Sequence, residues 1–211
     1  MEDINATATT PKANNSKKII IVTIGIILVI LGSYFAYQNY LNRQYVEKIM
    51  PLHRTLTSLS QDQEKVSSES DGKLYKDLIS ESDRIKKSAQ DLKLRFIEID
   101  PPTDKAREIN KSFTEATDKL ISWSEASGNY LQNDLSLLQA KKMLSYLYDQ
   151  SRTPYVGSYF YNELDKQEKN VKDLKTTNEE AKIKNDTARA AFLSGAKYTL
   201  DNLLGVATEK Q

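Results

Sequence analysis

The chain contains no cysteine. Disulfide bonds, thiolate catalysis and cysteine-based metal sites are therefore excluded, and any core must hold by packing alone. Turn-forming residues are scarce as well, with 7 Gly and 5 Pro in 211 residues. So few breaks over that length point to a small number of long helices. Excess charge is missing too, since 30 Lys and Arg stand against 29 Asp and Glu. Nucleic-acid binding draws on clustered Lys and Arg, so no nucleic-acid partner is expected. Alternating Val/Ile/Thr runs, and hairpin dipeptides set between apolar runs, are also lacking, which argues against strands.

One segment stands apart from this polar background. Ile19 to Ala36 runs 18 residues without a charge, about the shortest length that crosses a bilayer at ~1.5 Å per residue. Its densest part, Ile19 to Leu31, is 13 residues long, a length that also suits a secretory leader. The flank decides between the two. A cleavage site needs small residues in an A-x-A-like pattern, and Gly32-Ser33-Tyr34-Phe35-Ala36 sets bulky aromatics there instead. Tyr34, Phe35, Tyr37, Tyr40 and Tyr45 crowd the exit in the manner of an interfacial aromatic belt. The segment reads as a retained single-pass transmembrane helix that meets the lipid bilayer through residues 19–36.

Lys12, Lys17 and Lys18 precede the segment, and Arg43, Lys48 and Arg54 follow it. The lysine pair at the membrane edge favours a cytoplasmic N-terminus, a cell-membrane location and a C-terminal domain outside. Residues 1–18 are polar and without apolar period, and read as a disordered cytoplasmic tail. Residues 37–70 read as a membrane-proximal helical stalk. In it Leu41, Tyr45 and Ile49 extend the membrane helix, Pro51 is expected to break it, and Leu52, Leu56, Leu59, Gln63 and Val66 form a further helical stripe.

Residues 71–211 carry the remaining periodicity. Leu74, Leu78, Ser82, Ile85, Ala89, Leu92 and Phe96 mark one helical face, with Ser68 and Asp71 as expected caps. Asp100-Pro101-Pro102 ends that helix and starts the next, with Asp100 or Thr103 as its cap. The following stripe is the most regular: Ala106, Ile109, Phe113, Ala116, Leu120, Trp123, Ser127 and Tyr130. Its alternating steps of three and four are those of a coiled-coil seam. Gly128-Asn129 and Asn133-Asp134 are expected to interrupt it before a third stripe at Leu137, Ala140, Leu144 and Leu147. A last helical region opens at Tyr159, with Phe160, Leu164, Val171 and Leu174, then Ala188, Ala191, Phe192, Leu200 and Leu203. Its polar middle, 175–187, suits either a turn or one continuous helix. The expected fold is all-α: one N-terminal transmembrane helix, then an antiparallel bundle of about four helices.

Catalytic chemistry finds little to work with. His53 has no second histidine to share a metal or a proton relay, and reads as a solvated or partly packed side chain. Glu179-Glu180, with Asp186 nearby, sits in the most polar stretch and reads as a solvated helix face. Trp123 lies on the best apolar stripe and reads as core. Neither a glycine-rich phosphate loop nor a nucleophile-elbow motif is present. Asn110-Lys111-Ser112 and Asn185-Asp186-Thr187 match the glycosylation pattern.

No enzyme activity, metal or cofactor is expected. The function expected is that of an interaction, scaffold or accessory subunit with a protein partner in the membrane or envelope. The alternative is a small-ligand-sensing bundle that signals through a partner. The aromatic cluster Tyr146, Tyr148, Tyr155, Tyr159, Phe160 and Tyr161 surrounds the Pro154–Gly157 loop. One stripe cannot bury consecutive aromatics, because residues either side of Phe160 are rotated about 100° away from it. Tyr155, Tyr159 and Tyr161 are the expected partner-binding residues.

Overall fold

Apolar residues recurring at three and four set the element types, and the computed structural model contains four helices: α1 (Asn15–Ser68), α2 (Tyr75–Glu98), α3 (Asp104–Ser151) and α4 (Ser158–Leu203). It describes residues 15–68, 74–152 and 157–203, with side chains from 26 to 195 within those stretches, and no strand occurs among them. The chain divides into two compact units, Met1–Gln44 and Tyr45–Gln211.

In the first unit a row of large apolar and aromatic side chains is exposed: Ile26 to Leu31, then Tyr34, Phe35, Tyr37 and Tyr40. Residues 1–14 of the expected tail lie outside the described residues, and 15–18 are helical. Among the described residues no helix is long and apolar enough to cross a membrane. The side chains of 19–25, the first part of the expected 19–36 span, lie outside them.

The second unit is an antiparallel bundle built on α3. Residues 45–68 of α1 belong to it, burying Tyr45, Ile49, Leu52, Leu56, Leu59, Gln63 and Val66 along one face. The expected break at Pro51 does not occur, since α1 continues through it. An interior proline costs about 3 kcal/mol. The buried residues lie on both sides of Pro51 on one face, and each buried Leu or Ile returns about 1.5–3 kcal/mol only if the helix stays whole.

α2 buries Leu78, Ser82, Ile85, Ala89, Leu92 and Phe96, as its spacing predicts, whereas Leu74 is exposed. Its capping differs from expectation. Leu74 is the N-cap residue and makes no side-chain cap bond. Ser68 is the last residue of α1 and its hydroxyl donates to the Lys65 carbonyl, while Asp71 lies outside the described residues. At α3 the cap is Thr103, whose hydroxyl accepts from the Ala106 N–H at 3.1 Å.

α3 runs 48 residues without the expected interruption. A single Gly in a helix costs about 1 kcal/mol. Gly128 sits where α2 comes close: a Cβ built there would lie 3.7 Å from Ser82 Cβ. Asp134 is held from both sides, accepting from the Tyr75 hydroxyl of α2 and, at 2.9 Å, from the Asn178 amide of α4. The polar middle of α4 is likewise continuous, because Asn178, Ala181 and Asn185 turn small or hydrogen-bonding groups inward. Ala191 is exposed, and Ala188 and Phe192 carry the stripe past it.

Aromatic packing marks the levels of the core. Phe96 stacks on Phe113 at 5.2 Å and His53 meets the same Phe113 ring edge-on at 5.4 Å. Farther along α3, Trp123 stacks on Phe192 at 5.5 Å. Trp123 is 0% exposed. Trp123→Ala is expected to destabilise the bundle by about 3–5 kcal/mol, which lowers the melting temperature of a domain this size by roughly 6–20 °C. Thermal unfolding followed by helical circular dichroism checks this. An unchanged midpoint would place the indole outside the core.

Candidate functional site

Helix lengths position the one surface that stands out. Tyr75–Asp134, Lys86–Glu125, Lys93–Asp118 and Phe96–Phe113 pair α2 with α3 in antiparallel register. α2 has 24 residues and α3 has 48, so α2 runs out at the level of Asp134. Beyond it, among the described residues, α3 pairs with α4 alone. Trp123–Phe192, Asp134–Asn178 and Tyr148–Glu168 mark that pairing. Residues 135–151 and 158–177 thus form a two-helix arm, about 25 Å long at ~1.5 Å per residue.

One seam closes the arm. Leu137, Ala140 and Leu147 of α3 are buried, and Phe160, Leu164, Val171 and Leu174 of α4 are half-buried. The stripe of α3 that faces α2 lower down continues past the end of α2 as Leu135 and Leu138, half-buried and exposed respectively. Tyr148 donates its hydroxyl to Glu168 across the seam, and that hydrogen bond holds its pKa above the ordinary tyrosine value.

Aromatics gather at the tip. Phe160 turns partly inward with Tyr161 edge-on at 6.1 Å, as the helical rotation predicts. Tyr159 is 82% exposed, and Tyr146, Tyr148 and Tyr161 are exposed as well. Of the expected partner-binding residues, Tyr159 and Tyr161 share the first turn of α4, and Tyr155 lies outside the described residues. Met143, also exposed, adds a flexible apolar side chain one turn from Tyr146.

His53 is half-buried against Phe113, and burial lowers its pKa from the usual 6.5. Glu179 and Glu180 are exposed on α4. Among the described residues no group of three or more His, Asp or Glu is placed to hold a metal ion. Both glycosylation-pattern asparagines are engaged or buried. The Asn110 amide donates to the Phe96 carbonyl at 2.9 Å and its oxygen accepts from the Tyr45 hydroxyl at 3.4 Å. Asn185 is 7% exposed. A groove of about 390 Å³ between α3 and α4 is lined by Ser122, Asn129, Asn133, Thr177, Glu180 and Lys184, open to solvent and polar.

Asp134, which joins α2, α3 and α4, was missed by sequence reasoning, where it counted as a helix interruption. Its signal was present: a carboxylate at the end of the regular stripe, with Tyr75 opening one neighbouring helix.

Comparison of the chain with protein-family models, with curated proteins and with solved structures gives no match.

The histidine supplies a pH test of the packing at Phe113. Burial favours its neutral form, so the folded state takes up the proton at lower pH than the unfolded state does. Stability is then fully present above the unfolded pKa and declines as pH falls through 6.5 toward the folded value. The melting temperature of the wild-type chain is expected to drop more between pH 7.5 and 5.5 than that of His53→Gln. Equal slopes would show that His53 is solvated in the fold.

Proposed function

We propose that the chain is a membrane-anchored, non-catalytic interaction subunit whose two-helix arm presents tyrosines to a protein partner in the membrane or envelope. The observation that carries the reading is the arm: it extends past the end of α2, is closed by a single seam, and ends in exposed Tyr159 and Tyr161. Tyrosine offers large contact area at low entropic cost and is enriched among residues that dominate binding energy. Clustered exposed aromatics of this kind mark interaction sites more often than they mark ordinary surface.

The anchor in this proposal is residues 19–36, with the N-terminus cytoplasmic and the bundle outside. Support comes from the uncharged run, the flanking aromatics, and the continuous exposure of Ile26 to Leu31, which water disfavours and lipid accommodates.

Two experiments test the two halves of the proposal. Membranes from cells expressing the full chain are extracted with alkaline carbonate and the retained protein is sequenced from its N-terminus. Retention with an intact start is expected, whereas release, or a start between Gly32 and Tyr40, removes the anchor. Separately, Tyr155, Tyr159 and Tyr161 are changed together to Ser in the full chain. A stoichiometric partner captured in detergent by the wild-type chain is expected to fall at least tenfold in yield, with the melting temperature unchanged. Undiminished capture, or a collapsed melt, leaves the tyrosines as structural residues.

A further inference from the structure

The bundle core contains polar atoms that its apolar stripes do not explain. Gln63 is 0% exposed, yet neither its amide nitrogen nor its amide oxygen has a protein hydrogen-bond partner. Ser82 Oγ, Trp123 Nε1 and Asn185 Oδ1 are also buried and unpaired. Asn178 Oδ1, farther along α4, is unpaired as well, and together these groups come from all four helices.

Contacts between the helices set their heights in the bundle. Asp62 and Glu64, flanking Gln63 in sequence, reach Arg84 of α2 and Arg189 of α4. Ser82 lies against Gly128 of α3. Gln63, Ser82 and the Ser127–Gly128 pair therefore share one level of the bundle. Trp123 lies one turn from that level along α3, on the side of Phe192, and Asn185, one turn from Arg189 along α4, lies on the other side, toward Asn178, so the unpaired groups span about two turns, ~11 Å. Gln63 is a long polar side chain, and the buried or half-buried residues of α2 and α3 near this level include small ones: Ser82, Ser124, Ser127 and Gly128. Ser124 is already satisfied, donating to the Leu120 carbonyl at 2.9 Å.

The chemistry of the unpaired groups selects what can satisfy them. Gln63 Nε2 and Trp123 Nε1 only donate, Gln63 Oε1 and Asn185 Oδ1 only accept, and the Ser82 hydroxyl does either. An apolar guest satisfies none of them. A charged guest finds no counter-charge, because Asp62, Glu64, Arg84 and Arg189 lie at the surface and pair with one another. A small neutral molecule that donates and accepts in several directions fits all of them, and buried water does so with about three hydrogen bonds. We infer that this stretch of the bundle core is an internal hydration site, in which a short chain of waters satisfies Gln63, Ser82, Trp123 and Asn185.

The hydration site distinguishes one alignment of the helices from others. A helix slid by one turn would bring Gln63 against Leu or Phe, leaving its amide dry. The site thus selects register while the apolar stripes supply cohesion.

Trp123 is the single tryptophan, so its indole N–H gives one assignable resonance in the full chain in detergent micelles. Water-selective nuclear Overhauser measurements on that resonance read the proposal without any variant. A cross-peak to water of the sign produced by nanosecond or longer residence is expected, and it should persist in Ser82→Ala, which removes one exchangeable hydroxyl as a relay. An indole proton without a water cross-peak would overturn the site, showing direct side-chain pairing in its place. Loss of the cross-peak in Ser82→Ala with the indole shift unchanged would also overturn it, since the signal was then relayed from the hydroxyl.

Discussion

α3 is the element on which the other helices of the second unit close, and its length is the constraint the rest of the structure obeys. Its stripe of three- and four-residue steps gives it two adjoining apolar faces. One receives α2, with Phe113 meeting both Phe96 and His53, and the other receives α4, with Trp123 against Phe192. Since α2 is half as long as α3, one face is covered by described residues only as far as Asp134. The arm is what remains. A longer α2 would have hidden Leu135 and Leu138.

The charged residues do a different job from the apolar ones. Asp62–Arg84, Lys86–Glu125 and Lys93–Asp118 tie neighbouring helices together but are partly exposed. Pairs of that kind contribute about 0–1 kcal/mol each. Their effect is to favour one vertical alignment over its neighbours. Asp134 is stronger in this respect, because one carboxylate accepts from two helices at once. It sits where the bundle gives way to the two-helix arm.

Much of this architecture was legible in the sequence. The stripes of α2 and of the first half of α3 name the buried residues almost one for one, because every third or fourth residue there is apolar and the cap at Thr103 follows a Pro-Pro break. The misread places share one cause. Pro51, Gly128 and Asn133-Asp134 are local stop signals, and local signals lose when tertiary packing on both sides is strong. Pro51 is outvoted by Ile49 and Leu52, and Asp134 by partners more than 40 residues away in sequence. The tip was legible in part: the run Tyr159-Phe160-Tyr161 requires exposed rings by helical geometry alone. That α2 would end below the tip was not legible, because nothing in a one-dimensional pattern states which helix runs out first. Gln63 and Ser82 were visible on their stripes as polar residues in apolar positions, but Asn185 was not, since it lies in a stretch where every neighbour is polar.

The arm and the bundle differ in how much must be undone to open them. Opening the bundle breaks contacts among several helices, including the aromatic levels at Phe113 and Trp123. Opening the arm from its tip breaks one seam, whose α4 side is only half-buried. Local unfolding free energy follows the packing removed, so the arm forms the lower-lying cooperative unit of the two. Its backbone amides therefore exchange with solvent ahead of those in the bundle, with Asp134 and its partners as the boundary. A molecule that grips the tip gains surface there and also suppresses this opening, so occupancy of the distal tyrosines is reported by exchange protection spreading down both helices to Asp134.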